Sequence, residues 1–325
     1  MTEAILGIDI AKATFQVTLL HAGKHFRHTF PNSPAQFEQL TAWLESHAVT
    51  RVHACLEATG RYGEDLAEYL SAQHHTVSLV NPAQIRKYAE SKLTRNKTDP
   101  LDADLIADFC QSQHPRAWTP PAPEIRHLQE LLHQYDALQA ARQQEANRLQ
   151  AGLRSESVQQ LIHAHVQFLD QQLETLKHLI EEHIQQHPDL QQRQELLTSI
   201  PGIGNLTAAK LQAAQIERFV DTRALTAFAG LNPMQRTSGT SVRRKPRLSK
   251  MGDGDLRRDL YFPAIVAKRW NPIVSKFCER LAAKGKASFI VIGAAMRKLL
   301  CLAFGVLKSG KPFDPNYAQS VPIPS

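Results

Sequence analysis

The sequence predicts an α/β unit built on a mixed sheet, then an α-helical coiled-coil hairpin, then a mainly α-helical C-terminal domain. Three observations predict it. Strand-like runs give way to alternating helices and strands within the first 112 residues. Two long stretches then keep apolar residues at helical spacing. The last third is strongly basic where the rest is acidic.

Ile5–Ile10, Thr14–Leu20 and His25–Phe30 read as three strands, the last two separated by the turn residues Ala22 and Gly23. Pro34–His47 reads as a helix with Phe37, Leu40, Trp43 and Leu44 on one face. Val52–Glu57 is a strand, Arg61–Gln73 a helix, and Val77–Val80 a strand stopped by Asn81-Pro82. Pro82–Ser91 and Pro100–Ser112 read as helices. The order β-β-β-α-β-α-β-α-α implies a mixed sheet with helices on its faces, and it is also the order of the ribonuclease H-like fold. Pro115–Pro123 holds four prolines in nine residues and reads as a linker. Glu124–Arg154 and Val158–His187 carry helical apolar spacing among Gln and Glu, which suits an antiparallel hairpin. The implied divisions are 1–122, 123–190 and 191–325.

Of the 325 residues, 42% are hydrophobic and 21% charged, a globular balance. Runs such as Val291–Ala295 are too short to cross a bilayer, and no charged-then-apolar leader precedes the first strand. Cys55, Cys110, Cys278 and Cys301 form no CxxC pair and read as free thiols of a reducing, bacterial-type cytoplasm. Residues 1–193 hold 17 Lys and Arg against 23 Asp and Glu, a net −6, whereas residues 194–325 hold 21 against 8, a net +13. A basic segment on an acidic one points to a polyanion, with nucleic acid the first candidate, although charge alone leaves that even.

Asp9 ends the first strand and Glu57 the fourth; Asp99 and Asp102 stand three apart at a helix start and share a face. Four converging carboxylates repel unless cations lie between them. Two Mg²⁺ ions about 3.5–4 Å apart are a common answer in phosphoryl transfer. Oxygen-only donors favour Mg²⁺ or Mn²⁺ over zinc. The plain reading of Asp99-Pro100 and Asp102 is helix capping. Acids ending apolar strands are harder to explain without chemistry. Asp104 and Asp108 read as solvated.

In the basic part, Arg236, Arg243, Arg244, Lys245, Arg247, Lys250, Arg257 and Arg258 stand against only Asp253 and Asp255. Among them lies Thr237-Ser238-Gly239-Thr240-Ser241, whose hydroxyls either bind phosphate or attack it. Pro201-Gly202-Ile203-Gly204 between helices resembles a helix-hairpin-helix turn, offering backbone N–H groups at Gly202 and Gly204 to a DNA phosphate; a ligand-free turn fits equally. Phe228, Tyr261, Phe262 and Trp270 read as core. His163 and His165, two apart, project to different sides of a helix and make no zinc site.

The motifs GIDIAK (Gly7–Lys12), LEATG (Leu56–Gly60), NPAQIRKYAES (Asn81–Ser91) and RNKTDPLDADLIADF (Arg95–Phe109) resemble the N-terminal half of insertion sequence 110 family transposases, the DEDD transposases. SIPGIG (Ser199–Gly204), FAGLNP (Phe228–Pro233), SGTS (Ser238–Ser241) and GAAMRKLLCLAFGVLKSGKPFD (Gly293–Asp314) resemble the C-terminal half. The resemblance spans nearly the whole chain in motif order. It implies a RuvC-like catalytic domain whose DEDD tetrad falls on Asp9, Glu57, Asp99 and Asp102, and a C-terminal transposase domain whose serine nucleophile falls on Ser238, with Ser241 a weaker rival. It also implies recombination of donor and target DNA guided by a structured bridge RNA. The long helical arms suit a homodimer that pairs into a tetramer.

Other readings are a RuvC-like Mg-dependent nuclease or junction resolvase with no covalent intermediate, an actin-like kinase, and a non-catalytic nucleic-acid binder. The kinase needs a second phosphate loop that the chain lacks. Protein covalently attached to DNA separates the recombinase from the nuclease.

Overall fold

A computed structural model describes residues 4–57, 61–92, 99–238, 242–249 and 252–316; for residues 61, 99–101, 234–238 and 242–247 it describes the backbone alone. The chain divides into two compact units, residues 1–121 and 122–325.

The first unit is a five-stranded mixed sheet with helices on both faces. Its strands are β1 (Ala4–Ile10), β2 (Thr14–His21), β3 (Lys24–Pro31), β4 (Val52–Glu57) and β5 (Thr76–Val80), ordered β3-β2-β1-β4-β5. Consecutive hairpins make β1, β2 and β3 antiparallel, whereas β1, β4 and β5 are parallel. Those parallel pairs need crossovers, which α1 (Pro34–Ser46) and α2 (Glu64–Ala72) supply. Side chains alternate across the sheet. Leu6, Ile8, Val17, Leu19, Ala54 and Leu56 face one way and bury against Phe37, Leu40, Leu66 and Leu70 of α1 and α2. Ile5 and Cys55 face the other way, onto α3 (Pro82–Ser91) and α4 (Asp99–Gln113) through Ile85, Ile106, Ala107 and Cys110.

The proline-rich stretch read as a linker holds the boundary between the two units, and its first residues are bonded to the first unit. Ser78 Oγ donates to the carbonyls of Pro115 (3.1 Å) and Arg116 (2.9 Å). The Trp118 N–H donates to the Val77 carbonyl at 2.6 Å, and Trp118 packs on the first core. Pro cannot continue the helix, but the chain still satisfies an edge strand.

The second unit is mainly helical. It opens with α5 (Pro123–Gln150) and α6 (Glu156–Gln186), joined by a five-residue connection, 151–155. They run antiparallel: Glu124 meets His183 at one end, while Arg142 pairs with Asp170 nearer the connection. Leu128, Leu132, Leu173, Leu176 and Ile180 form their seam. Then follow α7 (Pro188–Thr198), α8 (Asn205–Ala213), α9 (Thr222–Phe228), strands β6 (Pro233–Ser238) and β7 (Val242–Leu248), α10 (Gly254–Asp259), α11 (Tyr261–Trp270), α12 (Pro272–Ala283) and α13 (Ser288–Ser309). The two strands form an antiparallel ribbon. At 22 residues, α13 is long and apolar enough to cross a membrane by length and composition, although no apolar run within it is. Val291, Ala295, Leu299, Leu300 and Ala303 nevertheless lie in the core of this unit with Leu197, Leu225, Ala264 and Val274, as the central helix of a globular fold does.

Lys210 of α8 ties three helices together. Its ammonium lies 2.7 Å from Asp136 of α5 and 2.9 Å from Asp259 of α10, and its side chain is 13% exposed. Replacing Lys210 by Met leaves two half-buried carboxylates, Asp136 and Asp259, to the more exposed Arg258. The expected loss is about 2 kcal/mol of stability, read from urea denaturation. A second contact gives this unit a pH response. His183 is buried, its ring 4.7 Å from that of His127 and 4.4 Å from that of His187. Burial chiefly holds its pKa below the usual histidine value; the two neighbouring histidines add to this and a hydrogen bond to the Glu124 carbonyl opposes it. The unfolded chain therefore takes up this proton more readily, so stability falls as pH drops below about 6.5. His183→Gln is expected to flatten that fall between neutral and mildly acidic pH in thermal melts.

Candidate active site

The site is built from where β1 and β4 end. Their register pairs Gly7 with Cys55 and Ile8 with Leu56, so Asp9 and Glu57 come next on adjacent parallel strands. A β-carbon on Gly7 would lie 2.3 Å from the Ala103 carbonyl oxygen and 2.7 Å from the Ala107 β-carbon. Gly7 therefore faces α4, and Asp9, two residues on, faces the same way. Cys55 faces α4 through Cys110, and Glu57 follows it by two. Val80, paired with Glu57, lies in that same cluster.

The direction of α4 completes the placement. Its C-terminal part reaches the start of the strands, where the Cys110 thiol lies 3.9 Å from the His53 carbonyl. Its middle covers Gly7. Its first turn, which carries Asp99 and Asp102, thus lies toward the strand ends that carry Asp9 and Glu57. Asp9, Glu57 and Asp102 are half-buried. The Asp99 side chain lies outside the described residues. Among the described residues, no three His, Cys, Asp or Glu side chains are gathered closely enough to hold a metal ion.

One acid read as solvated is held in place. Asp104 of α4 accepts from Thr18 Oγ1 of β2 at 2.7 Å and from Arg27 of β3 at 2.9 Å (Nε) and 2.6 Å (Nη2). Burial pushes its carboxyl up, but the Arg27 and Thr18 hydrogen bonds outweigh that and hold it below the usual carboxylate range. Gly7, Thr18 and Arg27 are register partners across three strands, so one row of the sheet grips α4. The sequence signal was a threonine and an arginine on the helix-facing side of otherwise regular strands. Asp108 is also engaged, 3.0 Å from Lys92. Below the acids, hydrogen bonding between Cys55 and Cys110, with burial, pushes the Cys55 thiol far up, which keeps it protonated and unreactive.

Two family models match the chain: one described as "Transposase", of the DEDD IS110 type, over residues 6–157, and one described as "Transposase IS116/IS110/IS902 family" over residues 194–279. The pilin gene-inverting protein of Moraxella bovis is 34% identical over 97% of this chain and 98% of that protein. Its counterpart in Moraxella lacunata is 33% identical over the same shares. The chain belongs to the IS110 transposase family. The transposase for insertion sequence element IS1328 of Yersinia enterocolitica is a more distant relative, 25% identical over 78% of this chain and 80% of that one. As a member, the transposase acts on DNA by recombination.

The other residues expected at the site from the sequence of this transposase lie in its second unit. Ser238 ends β6, opposite Val242. Arg236 lies on β6, and Arg243, Arg244, Lys245 and Arg247 on β7; the side chains of these six residues lie outside the described residues. Lys250 and Ser241 lie wholly outside them. Arg257 and Arg258 are used within the fold: Arg257 donates to the Ala229 carbonyl at 3.1 Å, and Arg258 meets Asp136 and Asp255. Gly202 has φ +107° and sits against Ala267 of α11, so a β-carbon would meet it at 2.6 Å. Packing therefore accounts for this glycine. Gly204 precedes the first turn of α8 with open space where a side chain would be. The four aromatics read as core are exposed: Phe228, Tyr261, Phe262 and Trp270 stand 41%, 43%, 74% and 64% open.

Gly7→Ala tests how closely α4 lies on the sheet. The added methyl overlaps helix backbone, which cannot rotate away. The expected cost is about 3 kcal/mol, with hydrogen exchange rising first in α4.

Proposed function

We propose that this transposase exchanges DNA strands through Ser238, with Asp9, Glu57, Asp99 and Asp102 holding Mg²⁺ or Mn²⁺. The observation that carries the proposal is the common face of Asp9 and Glu57 at adjacent strand ends, toward which the first turn of α4 points. The donors are all carboxylate oxygens, a set that fits a hard divalent cation. Bound there, the cations would neutralise charge on the phosphate as bonds exchange. The carboxylates would orient them, and their half-burial limits screening by water.

Ser238 supplies the nucleophile. Its oxygen attacks a DNA phosphorus, and a deoxyribose hydroxyl leaves. The hydroxyl proton of the serine is lost as the departing oxygen gains one. Attack on the phosphoserine by a hydroxyl of the other DNA reverses the step and frees the serine. No water is consumed, so the phosphodiester count is unchanged. The ribbon of β6 and β7 carries five Lys and Arg and no acid, which supports contact with phosphates. The turn at Gly202 and Gly204 would add backbone donors from the start of α8, and Lys250 a further cation.

In this reading the partners are donor and target DNA and a structured bridge RNA. The protein is a homodimer that assembles to a tetramer in the bacterial cytoplasm, and α5–α6 serves as its coiled-coil arm. The functional divisions are a RuvC-like catalytic domain (1–122), the helical hairpin (123–190) and a C-terminal transposase domain (191–325).

With element DNA, guide RNA and Mg²⁺, the wild type is expected to yield protein covalently attached to DNA. Ser238→Ala should abolish both the adduct and exchange while retaining DNA binding. Asp9→Asn should reduce exchange by about a hundred- to a thousandfold, as loss of one principal electrostatic stabiliser does. Cleavage by Ser238→Ala at the wild-type rate would mean that water is the nucleophile, and the protein would be a nuclease.

A further inference from the structure

We propose that the outward face of α11 is a stacking surface for unpaired nucleotides. The face is unusual for a globular protein. Tyr261, Phe262, Ile265, Val266 and Trp270 are all exposed, on a ten-residue helix whose other side, Ala264 and Ala267, is fully buried. By helical geometry Arg269 falls in the middle of this face and Lys268 at its edge, both exposed. The Arg269 guanidinium lies 5.0 Å from the centre of the Trp270 ring, and the Tyr261 and Phe262 rings meet edge-on at 5.4 Å. Phe262 and Trp270 stand about 12 Å apart along the axis, room for two separate stacking contacts.

Charge selects the occupant. Residues 257–286 contain eight Lys and Arg against two acids, Asp259 and Glu279. Asp259 is paired with Lys210, and Tyr261 and Phe262 line a cleft of about 730 Å³ with Lys210, Arg257 and Arg258. The other acid of that cleft, Asp136, is paired too, with Lys210 and Arg258. Cations interleaved with open rings match a nucleic-acid strand, whose phosphates meet the cations while its bases lie on the rings. A duplex keeps its bases stacked on one another, so the match is to an unpaired strand. A second copy of the chain fits poorly. A two-fold contact through this face would bury Lys268 and Arg269 of both copies with no acid on the face to offset them. The inference rests on family membership and exposure, and on neither the carboxylates nor Ser238.

The test uses the full chain and one short mixed sequence, offered single-stranded and as its duplex. The double variant Phe262→Ala, Trp270→Ala is expected to lose about tenfold or more in affinity for the single strand and to bind the duplex nearly as the wild type does. Phe262→Tyr with Trp270→Phe keeps an aromatic ring at both positions and is expected to retain single-strand binding. Unchanged single-strand affinity in the alanine variant would overturn the proposal. So would an equal loss on both substrates, or a fall in assembly mass with binding intact, which would mark the face as a contact between copies. Should the alanine variant melt early, loss of single-strand binding in the ring-retaining variant, with its melting temperature unchanged, would overturn it too.

Discussion

The first unit depends on the absence of one β-carbon. At Gly7 the backbone of α4 comes so close to the central strand that no side chain fits between them. That contact sets the height of α4 above the sheet. The Thr18 and Arg27 bonds to Asp104 then fix its rotation and slide. Charge plays a supporting part: an arginine 56% exposed contributes little by itself, but a fork that accepts only one carboxylate orientation is a good locator. Asp9 and Glu57 stand on a frame whose own interactions are apolar, steric and bidentate.

The two halves of the proposed chemistry have different physical supports. The acids stand on a buried parallel pair with a helix packed over it. The serine ends a two-stranded ribbon, and isolated ribbons of that size are marginal in water. Five like charges on the ribbon oppose its formation, and a polyanion relieves that opposition. In that proposal one end of the reaction is built into the fold, and the other would gain stability from its substrate.

Much of the first unit is legible in the sequence because two periodicities coexist there. Ile8 and Leu56 alternate with Asp9 and Glu57, and the element order fixes which strands neighbour which. Asp104 reads as solvated in the sequence because its partners are 86 and 77 residues away and only the closed sheet brings them near. The ribbon escaped notice because Pro233 and the cation run hide any alternation of apolar and polar residues. Tyr261, Phe262 and Trp270 misled for a different reason. Spacing tells that a residue is apolar and where it lies on a helix, whereas α11 is apolar nearly all round and only packing decides which side is covered.

The pairing of β1 with β4 has a consequence for how such a chain tolerates insertions. Adjacent residues on these strands alternate between an apolar layer and the acid-bearing layer. Moving β4 by a single position would drive Glu57 among Leu40 and Leu66 and turn Leu56 toward α4. No intermediate arrangement exists between correct pairing and a buried charge. Extra residues are absorbed where the chain turns, at 22–23 or 47–51, and rejected inside either strand. The spacing between the two acids can vary along the chain without their spacing in space changing at all.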